Sequence, residues 1–293
     1  MQYFAQQLST TKGYQGASKL LVFTDLDGTL LDHDSYSYEA ALPSLNQLKQ
    51  LNVPIIFNTS KTFMEVLQLQ KKMGLQQPFA IENGSALCIP AEGELQADEL
   101  SPLNVGKQRW KLKTFGPSYP DICQHLSVLR QQYHFRFQGF NDMNVSEVQL
   151  NTGLPKYDAQ LAKQRMASEP LLWNDSDDQL KIFISKLEAH NLAVVKGGRF
   201  YHVKAKFDKA DAMQWLKQLY QHQYQREFTT IALGDSENDR SMLERADIPV
   251  VIPRKHDPAL MIDHPNSSLA PHPGPYGWHQ SMQQILHSLL NGA

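Results

Sequence analysis

Three segments of this 293-residue chain repeat one pattern: an apolar run ends in polar residues, and a helix-like spacing follows. The first is KLLVFTD, then DGTLLDHDSYSY and a helical pattern near Glu39 to Leu51. The second is VPIIFNTSKT followed by FMEVLQLQKKMG, whose apolar residues recur at helical spacing and stop at Gly74. Thr62 and Glu65 have the spacing of a capping box, which starts that helix near Phe63 and leaves Asn58 to Lys61 on the preceding loop. The third is FTTIALGDSENDRSMLERAD, with a strand over Thr229 to Leu233 and a helix from Glu237. Repeated strand–loop–helix units predict an α/β fold with a parallel, doubly wound sheet. Ligands of such sheets sit beyond the carboxyl ends of the strands, where all three loops fall.

Between about Cys88 and Gly197 the pattern changes to shorter, half-exposed strands with helices between them, as in GKQRWKLKTFG and HFRFQGFND. This reads as an inserted α+β module over residues 90–197, joined to a sheet domain made of 19–89 and 198–293. Residues 1–18 read as a flexible polar arm without the apolar stretch of a secretory signal. The tail reads as a proline-rich loop, PHPGPYGW, and then a helix, QSMQQILHSLL.

No run approaches the roughly 18 to 20 apolar residues that span a bilayer. Twenty-eight basic against 30 acidic residues leave a net charge of -2, so nothing draws the whole chain to nucleic acid or membrane. Cys88 and Cys123 lack metal-type spacing, which suits a reduced, cytoplasmic compartment. No stripe stands out as an oligomer interface, so the oligomeric state stays open.

The chemistry starts at FTDLDGTL. Residues two apart on a strand share a face, and Gly28 breaks the strand, so Asp25 and Asp27 can converge on one point. A solvated Asp-Gly turn is the plain alternative; an EF-hand is a poor one, because glycine follows the second Asp directly. Asp235 ends the third strand, and Asp239 falls in the first helical turn after it. Asp25, Asp235 and a backbone carbonyl are hard oxygen ligands of the kind Mg²⁺ takes. For Asp239, an acid that merely favours the helix dipole accounts for the residue equally well.

FTDLDGTLLD, FNTS, a later lysine and GDSENDRSML resemble the four motifs of the haloacid dehalogenase-like (HAD) phosphatase superfamily. The resemblance runs from about Lys19 to the C-terminus, with the insert where that superfamily carries its larger α/β cap of the C2B type. IIFNTSKT, RMASEPLLW, GGRFYHV and GPYGW are similar to the narrower family of mannosyl-3-phosphoglycerate phosphatases, with Ser60-Lys61 where most sugar-phosphatase relatives have Gly-Arg. What the resemblance implies is a HAD-like doubly wound core with an inserted α+β cap, hydrolysing a phosphorylated sugar-glycerate.

The resemblance also assigns roles. Asp25 is expected to be the nucleophile, Asp27 the acid and base, and Thr59 the holder of phosphoryl oxygens. Lys209 takes the third-motif position, although Ala210 follows it where the family has glycine. Asp25, Asp27 (through its carbonyl), Asp235 and Asp239 are the expected Mg²⁺ set. Arg165 and Arg199 are expected to grip a glycerate carboxylate, Ser168 and Glu169 to bond hydroxyls, and Ser60 and Lys61 to approach from the core side. A helix-end turn competes for Ser168 to Pro170, and Asn83-Gly84 reads as a turn. Lys204 and Lys206 read as surface charges, and His33 and His202 as surface or packing residues. The other readings are a phosphatase for glucosyl-3-phosphoglycerate or a hexose phosphate, a phosphomutase, and a non-catalytic phosphoester-binding protein.

Overall fold

The computed structural model describes residues 19–197 and 199–291; the expected arm over 1–18 lies outside the described residues. The main sheet contains β1 (Leu20–Thr24), β2 (Ile55–Asn58), β3 (Phe79–Ile81), β4 (Ala86–Pro90), β5 (Ser101–Val105), β6 (Gln108–Thr114), β11 (Thr229–Gly234), β12 (Ile248–Val251) and β13 (Ser268–Leu269). Its order is β13-β12-β11-β1-β2-β3-β4-β6-β5. The run from β13 to β3 is parallel; β4, β6 and β5 extend it antiparallel.

β1 lies at the centre because its apolar run is buried on both faces. Leu20 and Val22 pack with the helices Leu42–Gln50, Phe63–Met73 and Gly274–Asn291, while Leu21 and Phe23 pack with Lys209–Tyr224 and Arg240–Arg245. The chain leaves β1 toward β2 and β3 on one side and returns as β11 and β12 on the other. The end of β1 is therefore the topological switch point, where a crevice must open. The helix Phe63–Met73 has the expected capping box of Thr62 with Glu65 and ends at left-handed Gly74.

The tail differs from expectation, since the helix begins at Gly274 and absorbs GPYGW. Pro275 is tolerated in the first turn, where its missing N–H has no helical acceptor anyway. The helix buries Trp278 completely, and its Nε1 donates to Thr24 Oγ1 at 3.0 Å.

A second, antiparallel sheet has the order β7-β8-β10-β9, from β7 (Phe137–Gly139), β8 (Ser168–Trp173), β9 (Leu192–Lys196) and β10 (Tyr201–Ala205). Leu171, Val203 and Leu192 on one face pack against Ile122, Leu126 and Phe183 of the helices Tyr119–Tyr133 and Asp177–Glu188. Within the expected insert over 90–197, the hairpin β5–β6 pairs with the main sheet, and β10, which follows that insert, pairs with the small one. No helix among the described residues is long and apolar enough to cross a membrane.

Candidate active site

Asp25, Asp235 and Asp239 meet at the ends of β1 and β11, each buried, with one carboxylate oxygen apiece within 4.8 Å of the others. Gly28 permits this approach: its φ is +80°, and a Cβ there would come within 2.9 Å of Asp235 Oδ2. Lys209, fully buried at the start of its helix, reaches Asp25 Oδ1 at 2.6 Å and Asp239 Oδ1 at 2.7 Å. Asp208 caps this helix by accepting from the N–H groups of Ala210 and Asp211, and Asn58 Nδ2 holds the Lys209 carbonyl at 2.8 Å.

Burial, followed by the crowding of Asp239, Asp235 and Asp27, drives the Asp25 carboxyl well above its ordinary range against the pull of Lys209. Burial and Asp239 likewise push Asp235 up to about 6, although Arg254 and Lys209 oppose them. Burial disfavours the Lys209 ammonium, but Asp239 and Asp25 more than compensate and hold it above the usual lysine value. Three buried carboxylates around this lysine make a hard, oxygen-rich donor set that fits a small divalent cation. Asp239 uses Oδ2 to accept from the Asp235 and Ser236 N–H groups and Oδ1 to hold Lys209. It orders the loop, while among the described residues the Asp235 side chain hydrogen-bonds only to Arg254 at 3.0 Å and, weakly, to Thr29 at 3.4 Å.

Asp27 pairs through Oδ2 with Lys61 at 2.8 Å, and its buried Oδ1 has no hydrogen-bond partner among the described residues. Burial works against the Lys61 charge, but Asp27 and Glu65 hold its pKa above the usual value. Thr59 is buried beside them, and its Oγ1 accepts from the Lys61 N–H at 3.2 Å.

A cleft of about 380 Å³ opens over these groups. Its core side carries Asp25, Asp27, Ser60, Asn83 and Asn238, and its cap side carries Val195, Lys196, Gly197 and His202. None of the four cap residues expected at the substrate lines this cleft. Arg165 donates to the carbonyl and Oγ of Ser168, and both residues are engaged by buried Glu82. Ser168 and Glu169 are consecutive strand residues, so they face opposite ways; no helix-end turn forms there. Glu169 points into the helical side, where it accepts from Tyr119 Oη and the Asn141 N–H at 2.8 Å each. Arg199 is exposed and donates to the Asn151 carbonyl at 2.8 Å.

Another expectation changes. Lys204 is buried rather than a surface charge, with its Nζ donating to the carbonyls of Ala205 and Phe207. His33 and His202 both line the cleft. The Nδ1 of His202 is buried without a partner among the described residues, and burial, then Arg165 and Lys204, lowers its pKa to about 3, so the ring is neutral near pH 7. Arg254 was not anticipated from the sequence, although it follows a fourth strand, IPVV, in the same manner as the other loops.

Glu169 yields a pH prediction. Burial, opposed by the bonds from Asn141 and Tyr119, pushes its pKa from 4.5 up to about 7. The folded chain then keeps a proton that the unfolded chain releases in that window. Its contribution is full below pH 4.5 and is lost as pH rises through about 7. Compared with Glu169→Gln, the unsubstituted protein should lose up to about 3 kcal/mol of stability between pH 4.5 and 8. Denaturant melts across that range check this; an opposite slope contradicts it.

Comparison with known proteins identifies the family. The family described as haloacid dehalogenase-like hydrolase matches residues 22–261. A protein of Persephonella marina named glucosyl-3-phosphoglycerate/mannosyl-3-phosphoglycerate phosphatase is 35% identical over 277 residues, covering 93% of this chain and 99% of its own. A protein of the same name from Methanococcoides burtonii is 36% identical over 271 residues, covering 92% and 97%. A solved HAD-superfamily phosphatase from Bacteroides thetaiotaomicron shares the fold with a TM-score of 0.62 at 14% identity, covering 91% of this chain and 94% of its own. With a family match from β1 to beyond β12 and relatives aligned over nine-tenths of its length, the chain belongs to the haloacid dehalogenase-like hydrolases.

Proposed function

We propose that this chain, a phosphoric monoester hydrolase, acts on mannosyl-3-phosphoglycerate and releases mannosylglycerate and phosphate through an aspartyl-phosphate on Asp25. The observation that carries the reading is the buried Asp25–Lys209–Asp239 chain beside Asp27, beneath a cleft that the cap lines on its other side. The two relatives named as phosphatases of glucosyl- and mannosyl-3-phosphoglycerate support the substrate class. Those names keep the glucosyl compound as the second reading.

In the first step a carboxylate oxygen of Asp25 attacks phosphorus, and the bond from phosphorus to the leaving alcohol oxygen breaks. Asp27, whose Oδ1 lacks a partner, gives that oxygen its proton. Asp27 then takes a proton from the water that attacks phosphorus, and the bond to Asp25 breaks to release phosphate. Lys209 holds the Asp25 carboxylate in place, and Thr59 and Ser60 supply donors for phosphoryl oxygens. Asp25, Asp235 and the Asp27 carbonyl would hold Mg²⁺, with Asp239 ordering their loop; the ion offsets repulsion between an anionic nucleophile and an anionic phosphate. From the cap, Lys196 suits the glycerate carboxylate, and neutral His202 suits a hydroxyl.

Phosphate release from mannosyl- and glucosyl-3-phosphoglycerate and hexose phosphates, with Mg²⁺ and then with chelator, tests the reading. Expected is a kcat/KM at least roughly 100-fold higher for the glycosyl-phosphoglycerates, falling to background on chelation. Preference for a plain hexose phosphate overturns the substrate, and labelled phosphate moving to a second hydroxyl indicates a mutase.

A further inference from the structure

We propose that Glu82 is a positioning residue that fixes the cap over the catalytic floor, governing turnover of substrates that reach the cap and not of small phosphoesters. It belongs to a turn in which Glu82, Asn83 and Gly84 all have left-handed backbone, with φ of +53°, +59° and +80°. Two adjacent non-glycine residues hold that conformation only where surrounding structure imposes it.

The backbone of the turn is bound to the catalytic loops. The Glu82 N–H donates to the Lys61 carbonyl at 3.0 Å, and the Asn83 N–H donates to that of Thr59 at 2.8 Å. Asn83 Oδ1 accepts from Asn238 Nδ2 at 3.0 Å, beside the acidic loop. Gly84 lies against the chain just before Lys209, where a Cβ would come within 2.2 Å of the Asp208 carbonyl oxygen. One short turn therefore touches the second, third and fourth motif loops together.

The side chain of Glu82 faces the cap. It is fully buried and accepts from the Met166 N–H at 2.7 Å, the Ala167 N–H at 3.1 Å and Ser168 Oγ at 2.8 Å. Arg165, almost as buried, balances its charge at 3.5 Å. A plain turn has no use for a buried carboxylate with three donors and an arginine. These donors open β8, where Ser168 pairs with Lys204 and Pro170 with His202 of β10. The bonds on Glu82 thus set where His202 enters the cleft that Asp25 also lines. A buried ion pair is weak evidence for added stability, and fixing one arrangement is the role assigned to this one.

The inference rests on the phosphatase reading for its kinetic readout. Glu82→Gln keeps the shape and removes the charge that Arg165 balances. Expected is a loss of about 30-fold or more in kcat/KM for mannosyl-3-phosphoglycerate, mostly in KM, with p-nitrophenyl phosphate turnover within about 3-fold of the parent. Equal losses on both substrates, or no loss on either, overturn the proposal. Should the variant fail to fold, amide exchange on the unsubstituted protein still decides. The Met166 and Ala167 N–H groups should exchange at least about 100-fold more slowly than exposed amides, and rapid exchange overturns the anchor. An unsubstituted protein inactive on both esters removes the phosphatase reading, while the exchange result stands apart from it.

Discussion

Replacing Lys209 with methionine should damage fold and chemistry together. Its ammonium is completely buried between Asp25 and Asp239, and Asp235 lies within the same cluster. Removing one partner of a buried pair leaves uncompensated charge and costs about 3–5 kcal/mol. For a chain of this size that corresponds to a fall of roughly 10 °C in Tm. Turnover should fall by about 10³-fold or more, because the residue holding the proposed nucleophile is gone. Added Mg²⁺ should recover part of the Tm, since a cation bound only by the folded state stabilises it by mass action. Activity should stay lost. Unchanged melting and activity would show that the lysine is incidental.

Asp25→Asn should separate the two effects. Asparagine keeps the shape of the side chain and removes one of the crowded carboxylates, the one that burial and its acidic neighbours already disfavour as an anion. Lys209 keeps Asp239 as its partner. The Tm should therefore change by no more than about 5 °C, while kcat falls by at least about 10⁴-fold, as expected on losing a nucleophile. Retained activity would mean that another group attacks phosphorus.

The floor of the site was legible because local chemistry specified it. The run Leu20 to Phe23 could be satisfied only between two helical layers, and this placed Asp25 at the switch point. The Thr62–Glu65 box fixed the start of a helix and thereby placed Thr59 and Ser60 on the loop before it.

The cap was less legible, because strand register decides which face a side chain takes. Ser168 and Glu169 looked alike as polar neighbours, yet one meets Glu82 and the other Tyr119. His202 reaches the cleft because it lies between helix-facing Tyr201 and Val203, a parity visible only once pairing is known. The hairpin β5–β6 alternates as a cap strand would, and only pairing of Trp110 with Pro90 assigns it to the main sheet. Lys204 looked like a surface charge because the carbonyls it binds belong to the turn at the end of its own strand.

The central claim is a covalent phosphoryl group on Asp25. Rapid acid quench during turnover of mannosyl-3-phosphoglycerate, followed by borohydride reduction of the acyl phosphate, reads it directly. The account predicts reduction of residue 25 alone, converting it to homoserine, with none in Asp25→Asn. Steady phosphate release with no modification at residue 25 under any quench time, or reduction at another aspartate, would contradict it.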